Sequence, residues 1–187
     1  VNRRLERFVS AVEAALVPQS AETEVLGRVV PAMAELVAQD DWLPDAFAQP
    51  HPTYYQQYLL HRDADARFSI VSFVWGPGQG TPIHDHTVWG VIGMLRGAEL
   101  AQGFRRDETG IRAEGEPERL RPGDVAVVSP AIGDIHRVRN AFDDRVSISI
   151  HVYGADIGVV ERHVFDPHTA AAKTFVSGYA NVPRERR

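Results

Sequence analysis

The stretch Gly78–Gly97, GQGTPIHDHTVWGVIGMLRG, opens in a glycine-rich turn, sets two histidines around an aspartate and closes in an apolar run. In an extended chain, residues two apart project from one face, so His84 and His86 point together while Asp85 points away. Two imidazoles then converge on one point, as a metal site requires. A pair of surface histidines in a turn spells the same letters, and the surroundings must decide between them. Asp85, on the opposite face, reads as a turn residue or as a support for a neighbouring ligand.

Those surroundings are strands. From residue 54 onward the runs RFSIVSFVWG, VWGVIGMLRG, AELAQGFRR, GDVAVVSP, HRVRNA and RVSISIHVYG are short, β-branched or aromatic, and separated by Gly, Pro and Asp. Evenly spaced short strands predict a β-sandwich or barrel. Before them, residues 2–17 carry Leu5, Phe8, Val9, Val12, Ala15 and Leu16 at helical spacing and stop at Pro18. Residues 21–38 repeat the pattern with Val25, Leu26, Val29, Val30, Met33, Leu36 and Val37, with Pro31 as a kink or boundary. A third short helix follows DDWLPD. With no internal repeat and no low-complexity linker, the 187 residues read as one domain. Its parts are a helical segment over 1–50 packed on a barrel over 54–168, and a C-terminal segment over 169–187.

Composition narrows the chemistry. The chain contains no Cys, so there is no thiol nucleophile, disulfide or sulfur-ligated metal, and any metal has N and O ligands. Net charge is −5, which argues against a nucleic-acid surface, and the closing PRERR reads as a solvated tail. No segment approaches the roughly 18 uninterrupted apolar residues of a membrane span, and the amphipathic start reads as neither signal nor anchor. The cytoplasm is the expected location.

The spacing G-x5-H-x-H-x3-G-x6-G between Gly78 and Gly97 resembles the first metal-binding motif of the cupins, with Gly90 standing where that motif has glutamate. Farther on, Gly123, Pro130, Gly133, His136 and Asn140 in GDVAVVSPAIGDIHRVRN are similar to the second cupin motif with slightly longer gaps. The resemblance implies a mainly β cupin jelly roll, a double-stranded β-helix, with His136 as third ligand beside His84 and His86. Three neutral imidazoles leave a divalent ion its full +2 charge, which favours an anionic exogenous ligand. Imidazole suits Fe, Zn, Cu and Ni alike, so the ligand set alone does not name the metal.

In RVSISIHVYG, Ser149, His151 and Tyr153 alternate with Ile148, Ile150 and Val152, which puts three polar groups on one strand face. A half-exposed strand gives the same alternation. Taken with WGPGQGTPIHDHT, GDIHRVRN and YYQQYLL, however, the segment resembles the thiol dioxygenases, cysteine dioxygenase and 3-mercaptopropionate dioxygenase, over about residues 54–168. That resemblance implies one Fe(II) per chain on His84, His86 and His136, and a Ser149–His151–Tyr153 relay reaching toward substrate and O2. Both oxygen atoms would enter a sulfinate product. The tyrosine–cysteine crosslink of mammalian-type enzymes has no counterpart, because Gly90 stands at the matching place and the chain has no Cys.

The arginine that holds the substrate carboxylate in cysteine dioxygenases is replaced by Gln57 in YQQYL, as in the 3-mercaptopropionate enzymes. A neutral amide cannot form the bidentate pair that arginine gives a carboxylate. Arg162, in ERHVFD, is then the candidate carboxylate anchor; a surface arginine paired with Glu161 or Asp166 is its alternative. The expected partners are a small thiol carboxylate, 3-mercaptopropionate ahead of cysteine, and O2, with neither nucleic acid nor membrane. A three-histidine zinc hydrolase and a non-catalytic cupin binding a small ligand remain alternatives. His51, His61, His163 and His168 read as surface or packing residues. Trp42, Trp75 and Trp89 read as packing, Trp89 standing near enough to His86 to wall the pocket.

Overall fold

The computed structural model describes residues 3–183; the first two residues and 184–187, most of the stretch expected as a solvated tail, lie outside the described residues. Two helices, α1 (Arg3–Ala15) and α2 (Glu22–Val37), precede the strands. The third helix after DDWLPD is a single 3-10 turn, Asp45–Phe47. The strands are β1 (Gln56–Arg62), β2 (Ser69–Trp75), β3 (Ile83–His84), β4 (Gly90–Arg96), β5 (Glu99–Asp107) and β6 (Gly110–Leu120). They continue with β7 (Val125–Val128), β8 (His136–Asn140), β9 (Ser147–Tyr153), β10 (Arg162–Phe165) and β11 (Ala172–Phe175).

These strands form two antiparallel sheets, one ordered β1-β2-β9-β4-β7 and the other β11-β10-β3-β8-β5-β6. In the five-stranded sheet every residue of β2 and β9 is buried. Both faces are covered because the helices lie against the outside and the barrel interior lies within. Ile70, Val74, Val91, Leu95, Ile148, Ile150 and Val152 face outward into one cluster with Phe8, Val12, Val29, Met33 and Val37 of the helices. Val71, Phe73, Trp75, Ile92, Met94 and Tyr153 form a second cluster inside.

The helix-to-sheet approach is closest at Gly93, where a Cβ would stand 2.7 Å from the Cγ and Sδ of Met33. Only hydrogen at that position lets α2 seat on β4. That packing also explains why α2 runs unbroken through Pro31. Its buried stripe of Val25, Val29, Met33, Leu36 and Val37 outweighs the roughly 3 kcal/mol by which proline disfavours a helix interior. Trp89 belongs to this outer cluster and packs toward the helices, so it does not wall a pocket beside His86.

Candidate metal centre and relay

His84 ends β3, and His136, at the start of β8, is its direct cross-strand partner, so both side chains rise from one face of the six-stranded sheet. His86 follows two residues beyond His84 on the same side. The three ring centroids stand 4.9, 4.8 and 4.8 Å apart, and one ligand nitrogen from each lies within 4.8 Å of the others. All three rings are buried.

The outer nitrogens fix the rings. His84 Nδ1 lies 3.0 Å from the carbonyl oxygen of Pro82, an acceptor only, so Nδ1 carries the proton and Nε2 presents its lone pair. His86 Nδ1 lies 3.0 Å from Asp134 Oδ1, which sets the same tautomer. Asp134 also accepts from the backbone N–H groups of His86, at 3.1 Å, and Thr87, at 2.9 Å. Those bonds hold Thr87 at a φ of 62°, a left-handed conformation seldom taken by a β-branched residue. Burial tends to raise the Asp134 carboxyl, but the hydrogen bond from His86 and the two backbone donors carry the net shift downward, so it stays a carboxylate. Burial and the neighbouring His86 push His84 down to about 3, and burial with the other imidazoles lowers His136 as well. Neutral imidazoles with converging lone pairs fit a divalent first-row metal ion.

Asp85, pointing the other way, accepts from the backbone N–H of His163 at 2.7 Å and pairs with its Nδ1 at 2.8 Å, tying β10 to the segment after β3. His163 is thus the one member of the four unassigned histidines with a defined role beside the site, as the anchor of Asp85.

From the opposite sheet, β9 sends Ser149, His151 and Tyr153 inward. Ser149 Oγ and His151 Nε2 are 2.8 Å apart, and His151 Nδ1 and the Tyr153 hydroxyl 2.9 Å apart. The Tyr153 ring stacks on His86 at 5.4 Å and 20°, so the chain of hydrogen bonds ends against the imidazole cluster. Room for that ring comes from Gly90 on the adjacent strand, where a Cβ would stand 2.8 Å from Tyr153 Cδ1 and Cε1. Burial raises the Tyr153 phenol above its ordinary range, against the opposing pull of Arg162, so the hydroxyl keeps its proton at neutral pH. Trp75, expected only to pack, donates its indole N–H to Ser149 Oγ at 3.1 Å.

Arg162 is 3% exposed and is not a surface arginine. Its Nη2 donates to Ser177 Oγ at 2.6 Å, its guanidinium lies 4.7 Å from the Phe175 ring centroid, and its buried Nε has no partner. No carboxylate among the described residues forms an ion pair with it. Burial lowers its pKa, which the nearby Tyr153 and Tyr55 oppose. Gln57 is buried too, and donates from Nε2 to Ser177 Oγ at 3.3 Å and to the Gly178 carbonyl at 3.0 Å. Ser177 therefore joins Gln57 and Arg162 across the C-terminal segment.

A two-sheet β-barrel with three inward imidazoles that could hold a metal ion defines the cupin class. Residues 22–165 match the family described as cysteine dioxygenase type I. The chain belongs to that family. Cysteine dioxygenase type 1 of Danio rerio is 26% identical over 118 residues, 60% of this chain and 56% of the relative. The Homo sapiens protein of the same name is 27% identical over 122 residues, 62% of this chain and 60% of the relative. The chain thus spans under two thirds of the length of these relatives. Among solved structures, a conserved protein from Klebsiella pneumoniae with a double-stranded β-helix domain superposes with a TM-score of 0.47 at 18% identity. That alignment covers 70% of this chain and 91% of the other.

Proposed function

We propose that this chain is a thiol dioxygenase that oxidises a small thiol carboxylate, 3-mercaptopropionate ahead of cysteine, to its sulfinate with O2. His84, His86 and His136 would hold one Fe(II) per chain, and the reaction would run in the reducing cytoplasm, where free thiols persist. Bound there, the ion would supply Lewis acidity that favours the thiolate and a redox centre at which O2 and sulfur meet. The overall change balances without a further reductant: sulfur loses four electrons, O2 gains four, and both oxygen atoms end on sulfur.

The observation that carries this reading is the hydrogen-bonded line from Ser149 through His151 to Tyr153, ending against His86. The line sets a buried phenol, kept protonated by its surroundings, against the three imidazoles, where it can donate to oxygen as charge builds on it. Tyr153 is the hydroxyl that would meet that charge, with His151 and Ser149 holding its orientation.

Substrate class follows from Arg162. A buried guanidinium with an unpartnered N–H and no carboxylate to balance it suits an anionic substrate group. Gln57 adds no second charge, its amide being bonded to Ser177 and Gly178. Cysteine would bring an α-ammonium one carbon from the anchored carboxylate, toward a cation rather than an acid. A thiol acid without the amine avoids that repulsion.

Metal analysis of the purified protein followed by O2 uptake with 3-mercaptopropionate, L-cysteine and a thiol without a carboxylate tests the proposal. Iron, with uptake fastest for 3-mercaptopropionate, is the expected result. Zinc with no thiol-dependent uptake would overturn it. His136→Ala removes one of three ligands and should lower both iron content and uptake by at least about tenfold.

A further inference from the structure

Beyond the stretch matched to the family, β11 and the residues after it cross from one sheet to the other. β11 lies against β10 with Phe175 directly opposite Arg162. The chain then reaches β1, where the Ala180 N–H donates to the Gln57 carbonyl at 2.8 Å. Asn181 completes the attachment with its side chain, accepting from the Leu59 N–H at 2.8 Å and donating to the Leu59 carbonyl at 3.0 Å. Between these ends the Gly178 N–H donates to the Gly158 carbonyl at 2.9 Å, and the Tyr179 hydroxyl donates to Asp156 while accepting from the Gly158 N–H. Ser177 is thus held from both sides, in a segment fastened to β1, β10 and the loop between β9 and β10.

Arg162 shares a face with the metal ligands. Val164 of β10 pairs with His84 of β3, and the Asp85 N–H donates to the His163 carbonyl at 3.1 Å, so the register brings Arg162 abreast of His86. Residues two apart project from one face, and Arg162 therefore projects with Val164 and His84. Its backbone stands one strand spacing, about 5 Å, from that of a ligand. Where the charged end comes to rest depends on its contacts. The Phe175 ring, 4.7 Å away, holds one face, but attraction to a π-face leaves a guanidinium free to turn in its own plane. Ser177 Oγ removes that freedom, accepting from Nη2 at 2.6 Å in a charge-assisted bond. The same oxygen accepts from Gln57 Nε2 at 3.3 Å, and Gln57 donates also to the Gly178 carbonyl, which ties both side chains to the fastened segment. Nε, buried with no partner, remains for an outside anion.

We propose that Ser177 is the positioning residue that sets the distance from the Arg162 guanidinium to the three histidines, and so selects the length of the thiol acid. The proposal rests on reading Arg162 as the carboxylate anchor, and not on what becomes of the sulfur. A thiolate held at the histidine cluster and a carboxylate held at a fixed guanidinium accept one number of carbons between them. Freed from Ser177, the guanidinium follows shorter and longer acids alike, and the best-fitting acid binds more weakly because the side chain is then ordered only on binding.

The test uses the zinc-loaded full chain, whose diamagnetic ion binds thiolates, with the Arg162 side chain followed by 15N NMR. In the unsubstituted protein Nη1 and Nη2 should give separate signals, the mark of hindered rotation. Titration read at Nε should favour 3-mercaptopropionate over mercaptoacetate and 4-mercaptobutyrate by at least about tenfold in Kd. Ser177→Ala should merge the Nη signals and cut that preference to about twofold, weakening 3-mercaptopropionate most. Ser177→Thr, which keeps the hydroxyl, should restore both. Merged Nη signals in the unsubstituted protein, separate ones in Ser177→Ala, or equal weakening of all three acids with the preference intact would overturn the proposal. An Nε signal that none of the acids moves would overturn the anchor and this proposal together. A Ser177-dependent preference supports the proposal even if the iron-loaded chain oxidises none of the acids, a result that overturns the dioxygenase reading alone.

Discussion

The two faces of β9 use the same backbone for opposite purposes. Outward, Ile148, Ile150 and Val152 are completely buried against α1 and α2, where close packing is the whole contribution. Inward, Ser149, His151 and Tyr153 are buried just as deeply, yet each is a polar group that would have been more comfortable in water. Their desolvation is offset by hydrogen bonds to one another, and the line they form ends at the imidazole cluster. Burial is equal on the two faces; what differs is whether a substitution is felt as stability or as chemistry.

Ile150→Ala should therefore cost about 4 kcal/mol of stability, the scale of truncating a fully buried isoleucine, and lower Tm by roughly 10 °C. Turnover per folded, iron-loaded molecule should stay within about twofold, as calorimetry and O2 uptake would show. On the inner face Tyr153→Phe should lower Tm by less than Ile150→Ala does, since only His151 Nδ1 loses its partner, and should keep the metal. It should slow coupled sulfinate formation about 100-fold, equivalent to about 2.7 kcal/mol of transition-state stabilisation. If Tyr153→Phe unfolded the protein while Ile150→Ala slowed catalysis, the division between the faces would be broken.

Glu99 sharpens the contrast through pH. Its carboxyl titrates near 4.5 in an unfolded chain and is pushed up to about 7 in the folded one by burial. Below about 4.5 both states hold the proton. Between there and about 7 the folded state holds it while the unfolded state has released it, so stability falls as pH rises and levels off above 7. Glu99→Gln should remove that decline, gaining about 3 kcal/mol at pH 8 and almost nothing at pH 4.5, measured by denaturant unfolding of the metal-free protein. The smallest effect concerns substrate preference. Gln57→Arg would set a second guanidinium beside Ser177 and Arg162, adding to the repulsion of the cysteine α-ammonium, and should widen the ratio of kcat/KM between 3-mercaptopropionate and cysteine. That ratio is expected to be about tenfold in the unsubstituted protein, or about 1.4 kcal/mol.

Period two made much of this legible in the letters. His84 with His86, and Ser149 with His151 and Tyr153, are each spaced so that any extended backbone aligns them. The helical stripes of α1 and α2 were equally plain, although Pro31 proved no boundary because tertiary packing overrides a local preference. What the letters hid were partners joined across the barrel. Asp134 lies 48 residues from His86, with only its place two before His136 as a signal. Trp75 meets Ser149 from a neighbouring strand, and nothing local distinguishes Trp75 from Trp89, which packs outside against the helices. Glu99 had one mark: an acid at the start of a strand, immediately after the Gly97–Ala98 turn, where its neighbours run inward. Arg162 reads equally well as buried or exposed, because β11 and Ser177, which close over it, lie farther along the chain.

In the proposed reaction both atoms of O2 are delivered to a thiol sulfur. Iron-loaded protein supplied with 3-mercaptopropionate under 18O2 in ordinary water, with the product weighed by mass spectrometry, tests it most directly. The expected product is a sulfinate carrying two 18O atoms, formed in a one-to-one ratio with O2 consumed. A product with one or no 18O, or oxygen uptake that yields disulfide and peroxide instead of sulfinate, would contradict it.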